Sequence, residues 1–456
     1  MSIVTWKSKI NLSAVRVDFN SLKLDKLRSK ILSLCDDYMN IREKPTYRTG
    51  IDVIPASSKI LDASDLRALV ESSLDLWLTE GRFAEQFSNE IAKKFTSKKA
   101  ILTVSGSSAN LLAFSALTSP KLGNKRIKKG DEVITVAAGF PTTVFPIVQN
   151  NCIPVFVDIG LDNYNIDIKY LQKALTKKTK AIMIAHTMGN PFDLEKVSDF
   201  CKKNNLYLIE DCCDAFGAEF KGKHVGTFGD LATMSFYPAH HITAGEGGAV
   251  IGNNIKLLRI VESFRDWGRD CYCHTGMNNT CGKRFNWKLG ELPYGYDHKF
   301  IYSHIGYNMK MTDMQAALGL SQIKKLPKFI EIRRKNFHIF TKILKEKKLD
   351  KYFVLPKETK NSNPSWFGYM LTIKSKLDRK KIIDHLEKNK ILTRLLFAGN
   401  LARQPAFEDV KYRIVGSLKV TDKVMRDSFW LGIWPALNEK HFQYMAKILD
   451  EAVKIK

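Results

Sequence analysis

Apolar residues never run unbroken for the roughly 18 positions that a membrane-spanning helix needs. The opening Met-Ser-Ile-Val-Thr-Trp-Lys also lacks the pattern of a secretory signal, so a cytoplasmic protein without membrane attachment is expected. Internal repeats and low-complexity segments are missing, which argues against a solenoid or a long disordered tail. No Gly-x-Gly-x-x-Gly fingerprint occurs, so any nicotinamide chemistry has to come from another protein. Acidic residues are scarce beside basic ones, 47 against 72, for a net charge of +25. The excess is spread along the chain without a basic tail or a nucleic-acid motif. It favours a generic basic surface or an anionic small substrate, and no nucleic-acid partner is expected.

At 456 residues and 44% hydrophobic, the chain can bury a large core. Residues 1–57 read as an N-terminal extension, with helical periodicity at Leu22–Tyr38 and a proline-bearing loop. Short apolar runs follow at Ala100–Val104, Glu132–Val136, Ile153–Val157, Ala181–Ala185, Leu206–Glu210, Ala232–Phe236 and Ala249–Ile251. Amphipathic stretches such as Ile168–Leu175 and Leu194–Lys203 lie between several of them. This alternation predicts an α/β fold with a doubly wound, mostly parallel sheet, whose ligands bind at the carboxyl ends of its strands. Residues 262–310 break the pattern as an irregular insertion, and a loop that long is usually functional. A helix at Asp313–Leu326 closes the large domain (58–326). The remainder, 327–456, mixes strands (Tyr369–Ile373, Thr393–Phe397) with helices (Arg379–Asn389, Lys440–Ile455) as a smaller α+β domain.

Several short motifs sit where such a sheet would bind a ligand. Val104-Ser-Gly-Ser-Ser-Ala-Asn-Leu111 follows a strand and opens a helix, so Gly106, Ser107 and Ser108 could offer N–H groups and hydroxyls to a phosphate. Alone, this is more often only a turn. Asp211 ends a strand and could hold a pyridinium proton or merely cap a helix. Phe140 in Ala-Gly-Phe-Pro-Thr-Thr, Ser235 before Phe236, and Asn308 in Gly-Tyr-Asn-Met-Lys-Met-Thr-Asp complete the set. Phe236-Tyr-Pro-Ala-His-His-Ile-Thr-Ala-Gly-Glu-Gly-Gly248 comes next, and no lysine occurs from His224 to Ile255.

Taken in order from about Ser58 to Ile455, these motifs resemble the DegT-type, pyridoxal-phosphate-dependent sugar aminotransferases. The resemblance implies the aspartate-aminotransferase fold (PLP fold type I). It places Phe140 against the cofactor ring, Asp211 on its pyridinium, and Gly106, Ser107, Ser108 and Ser235 at its phosphate. Asn308 would serve the neighbouring subunit's phosphate, which implies at least a homodimer. Where the family carries its Schiff-base lysine, this chain has His240, which can move protons but cannot hold an imine.

Eight cysteines in a chain of this kind suggest thiols or metal ligands over disulfides. Cys35, Cys152 and Cys201 stand alone and read as buried structural thiols. Counting from Cys213, 57 residues intervene before Cys271, one before Cys273 and seven before Cys281. Four thiolates suit a [2Fe–2S] cluster or a structural zinc. The spacing, with Ser-Phe-Tyr-Pro-Ala-His-His-Ile-Thr and Thr-Arg-Leu-Leu-Phe-Ala-Gly-Asn, is similar to that of the CDP-4-keto-6-deoxy-D-glucose-3-dehydrase family. That likeness implies a [2Fe–2S] cluster on Cys213, Cys271, Cys273 and Cys281 and pyridoxamine 5′-phosphate (PMP) as cofactor. It also implies a nucleotide-sugar substrate, His240 as base, and a separate NAD(P)H-dependent iron–sulfur flavoprotein reductase as partner. Since neighbouring residues on a strand face opposite ways, only one of Cys212 and Cys213 should be a ligand. His241, Arg394 and Arg403 are further candidates for substrate contact, the arginines through phosphates. Ordinary salt bridges and core packing would explain these three equally well.

Overall fold

The computed structural model describes residues 19–455 apart from His274 and Ser375. Three helices, α1 (Phe19–Ile41), α2 (Ala63–Leu74) and α3 (Arg82–Lys94), precede the sheet. Strand and helix then alternate: β1 (Lys99–Thr103), α4 (Gly106–Leu117), β2 (Glu132–Val136), α5 (Pro141–Gln149), β3 (Ile153–Val157), α6 (Leu171–Ala174), β4 (Thr179–Ala185), α7 (Leu194–Lys203) and β5 (Tyr207–Asp211). A two-residue hairpin, β6 (Glu219–Phe220) and β7 (Lys223–His224), leads to β8 (Leu231–Ser235), β9 (Gly248–Gly252) and α8 (Ile255–Arg265). Past the irregular segment come α9 (Asp313–Ile323), α10 (Leu326–Glu346), β10 (Phe353–Val354), β11 (Ser362–Asn363), β12 (Tyr369–Ile373) and α11 (Arg379–Lys388). The chain ends with β13 (Arg413–Val415), α12 (Lys419–Asp427), β14 (Ser428–Leu431) and α13 (Glu439–Ala452).

The large sheet has the order β1-β9-β8-β5-β4-β2-β3-β13. Only β9 runs against its neighbours; the others pair in parallel. Successive residues face opposite layers, as the period of two demands. Ile101, Ile209 and Val250 pack with α4, α5 and α8, while Leu102, Leu208 and Ile251 pack with α3, α7 and α9. Both faces are covered, which is why these strands read as continuous apolar runs. A third core joins α10 and α13 to the small sheet β10-β12-β14, with Phe340, Tyr369, Phe429 and Trp434 fully buried.

Two expectations need correction. Thr393–Phe397 forms no strand; the segment makes one isolated bridge, Arg394 to Trp430, and turns at Phe397 with a φ of +42°. The helix expected to run to Leu326 stops at Ile323, and a separate helix begins at Leu326 with a proline in its first turn. Pro327 has no N–H to continue the earlier helix and its fixed φ suits a helix start.

Candidate active site

The site lies at the carboxyl ends of the parallel strands. Ser105 caps α4 by accepting from the Ser108 N–H at 3.0 Å, which leaves the first turn of the helix open toward β8. Gly106 is required there: a Cβ would stand 2.5 Å from Ser235 Cβ, 2.8 Å from its Oγ and 3.0 Å from Cys213 Sγ. The helix N-terminus, Ser235 and Cys213 therefore meet in one corner. Ser107 is exposed beside it, its hydroxyl 3.1 Å from that of Thr142. Phe140, the N-cap residue of α5, leaves its ring 48% exposed and edge-on to Phe397 at 5.6 Å.

Asp211 ends β5, buried on the α4 side of the sheet. Its Oδ2 accepts from Asn110 Nδ2 at 2.8 Å and Thr143 Oγ1 at 2.7 Å, and its Oδ1 from the Cys213 N–H at 3.1 Å. Thr233 in turn donates to Asn110 Oδ1 at 2.6 Å. Asn110 and Thr143 were missed in the sequence, although Asn110 is one helical turn after Gly106 and Thr143 lies in the Phe-Pro-Thr-Thr motif. Past the strand end the faces still alternate: Cys212 enters the opposite core, while Cys213 stays with Asp211 and Gly106.

His240 sits in the turn after β8, its N–H bonded to Tyr237 O at 2.9 Å and its ring 5.2 Å from that of Phe367. The side chain is only 15% exposed, and Nδ1 points at Asp214 Oδ1, 3.5 Å away. Burial, helped by Arg333 and opposed by the Asp211 charge, pulls the imidazole down to about 4. Burial and Asp211 push the Asp214 carboxyl up to about 8, against the Met188 N–H and Arg333. At neutral pH the two groups thus meet uncharged, and this is not an ion pair. Arg333 donates Nη1 to the Trp366 and Phe367 carbonyls at 3.0 Å each. His240 Nδ1 is buried without a hydrogen-bond partner among the described residues. His241 turns the other way, Nε2 lying 2.7 Å from Ser365 O.

The profile of the DegT/DnrJ/EryC1/StrS aminotransferase family matches residues 59–450. The chain belongs to that family. Among relatives of known description, the DegT-family chain is 53% identical over 429 residues to the lipopolysaccharide biosynthesis protein RfbH of Salmonella typhimurium, covering 93% of this chain and 98% of that one. It is 48% identical over 428 residues to the dTDP-4-dehydro-2,6-dideoxy-D-glucose 3-dehydratase of Saccharopolyspora spinosa, covering 93% and 92%. The solved E. coli GDP-4-keto-6-deoxy-D-mannose-3-dehydratase with bound hydrated PLP superposes with a TM-score of 0.78 at 29% identity, over 87% of this chain and all of that one. The fold is therefore that of the PLP fold type I enzymes. The donor set also fits a pyridoxal-type cofactor. It offers a helix N-terminus with a cradle that one Cβ would fill, a buried carboxylate, and an exposed ring at the mouth.

Cys271, Cys273 and Cys281 line a small cavity with Arg284, His298 and Lys299. Asn308 is exposed, its Oδ1 accepting from Lys310 Nζ of its own chain at 3.0 Å. Arg394 is exposed and donates to Thr393 O at 2.7 Å. Arg403 is held at the surface by Asp422 at 3.2 Å. No described helix is long and apolar enough to cross a membrane.

Proposed function

We propose that this protein is a PMP-dependent 3-dehydrase acting on a nucleotide-linked 4-keto-6-deoxy sugar. The observation that carries the reading is His240, uncharged and nearly buried in the turn where an aminotransferase of this family needs lysine. Names of relatives support the same class: a 3-dehydratase of a dTDP-linked sugar and one of a GDP-linked sugar. At the finer level we assign the substrate as CDP-4-keto-6-deoxy-D-glucose, on the route to a 3,6-dideoxyhexose of a surface polysaccharide. That assignment rests on the cysteine spacing and the resemblance it carries, as do the [2Fe–2S] centre and the NAD(P)H-dependent reductase.

PMP, when bound, supplies an amine for the sugar's 4-keto carbon and an electron sink beside it. The chain's own groups do the rest. The α4 N-terminus with Ser107, Ser108 and Ser235 would hold the phosphate. Asp211, fixed by Asn110 and Thr143, would present its carboxylate to the ring nitrogen, and Phe140 would cover the ring face. His240 would serve as the base beside the bound cofactor and would return a proton to the departing C3 hydroxyl, which would leave as water. Burial keeps the imidazole in its base form at neutral pH. Arg394, three residues before the Phe397 whose ring meets Phe140, is assigned to the substrate's phosphates.

Product analysis tests the reading. With PMP the protein should consume CDP-4-keto-6-deoxyglucose and should ignore an added amino donor. An amino sugar formed from PLP and glutamate would make it an aminotransferase and overturn the proposal.

A further inference from the structure

Two segments from outside the large sheet are tied to the residues on either side of His240. On one side, Ser57 donates its hydroxyl to the Ala239 carbonyl at 2.6 Å, across 182 positions of sequence. The stretch that carries Ser57 is itself anchored. Ile54 is buried in the third core, its N–H bonded to Lys390 O at 2.8 Å and its carbonyl to the Leu392 N–H at 3.0 Å. Trp434 Nε1 donates to Pro55 O at 2.9 Å, and a Cβ on Gly432 would stand 2.5 Å from Ala56 O. Past Ser57, the Ile60 carbonyl accepts from Gln322 of α9 at 3.0 Å. Residues 54–60 are therefore a short tether from the small-sheet core to the turn that bears His240.

On the other side, His241 is only 3% exposed, with Nε2 2.7 Å from Ser365 O. A carbonyl can only accept, so Nε2 carries the proton and donates it. Ser365 is buried too, its N–H bonded to Gly189 O at 3.0 Å, and the Phe367 N–H meets Met188 O at 2.9 Å. The Phe367 ring lies 5.2 Å from that of His240 and 6.5 Å from that of His241. No hydrogen bond fixes Nδ1 of His240, so the backbone on either side of it and the Phe367 ring do most to set where the imidazole stands.

We propose that Ser57 and His241 are positioning residues of this site, clamping the turn from both sides and fixing the place of the His240 side chain. The inference rests on His240 lying beside the bound cofactor, as in the proposed function. It gives residues 54–57 of the N-terminal extension a part in the chemistry, and it takes His241 out of the substrate contacts.

A lysine in place of His240 reports where that side chain stands without any sugar chemistry. In His240→Lys the new amine should condense with PLP, losing water, and the imine absorbance gives a rate. Adding Ser57→Ala should slow imine formation about tenfold, since reacting groups misplaced by about 1 Å can lose as much as a hundredfold. Ser57→Thr keeps the hydroxyl and should restore the rate. His241→Gln keeps a donor and should be slowed less than His241→Leu. In the protein that retains His240, Ser57→Ala should bind PLP as tightly as its parent. Imine formation at the parent rate in Ser57→Ala or in His241→Leu would strike that residue from the proposal. PLP affinity falling in step with the rate would overturn it as well, because the clamp would then serve the cofactor's cradle and not residue 240. A His240→Lys protein that binds PLP but forms no imine would instead remove His240 from the cofactor's side, and with it the reading beneath the inference.

Discussion

Replacing Asp214 with asparagine should alter the pH dependence of stability by a predictable amount. The carboxyl is pushed from 3.8 to about 8 by burial and by Asp211, with His240 Nδ1 3.5 Å away and Arg333 opposing. A folded-state pKa above the unfolded one means that the folded protein binds the proton more tightly. The resulting stability is fully present below about pH 4 and is lost progressively as pH rises to about 8. Each pH unit in that window is worth about 1.4 kcal/mol, so three units, from pH 5 to pH 8, correspond to about 4 kcal/mol as an upper figure. Asparagine keeps an acceptor for the Met188 N–H and does not titrate. Urea denaturation of the cofactor-free protein at pH 5 and pH 8 should show the wild type losing several kcal/mol more than Asp214→Asn. Parallel losses in the two proteins would refute the reading of a neutral, buried Asp214.

Other expectations concern the cradle, the histidine and the arginines. Gly106→Ala forces a Cβ to 2.5 Å from Ser235, and PLP affinity followed by absorbance should fall at least tenfold, about 1.4 kcal/mol; unchanged binding would mean the phosphate lies elsewhere. His240→Lys should yield a stable imine absorbance with PLP and suppress dehydration, whereas normal turnover would remove His240 from the chemistry. Arg394→Ala should raise KM for the nucleotide sugar about tenfold. Arg403→Ala breaks a surface pair with Asp422 and should leave stability close to wild type, with KM unmoved; the opposite pattern would exchange the two assignments.

All seven strands from β1 to β9 that build the large sheet, β6 and β7 excepted, were legible because burial on both faces makes each a short apolar run. Gly106, Asp211, Ser235 and His240 could be singled out as candidates for a different reason: each sits at a strand end or in the turn after it, where a motif stays local. Asn110, Thr143, Asp214 and Arg333 were not. Asn110 and Thr143 act only by meeting Asp211 across the sheet. Arg333 lies in α10, 93 positions beyond His240, within an Arg-Arg-Lys run that reads as a solvated helix face yet is 1% exposed. The spurious strand at Thr393–Phe397 has β-like composition, but the chain there turns at Phe397 and pairs through a single bridge.

The central claim is that this site eliminates the C3 hydroxyl of a 4-keto sugar with His240 moving the proton. The direct measurement is oxygen exchange: protein, PMP and CDP-4-keto-6-deoxyglucose in ¹⁸O-water, without a reductase, read by mass spectrometry of recovered sugar. Reversible elimination predicts ¹⁸O at C3 that grows with time and disappears in His240→Asn. Recovered sugar with no ¹⁸O at C3, under conditions where PMP is bound, would contradict the account.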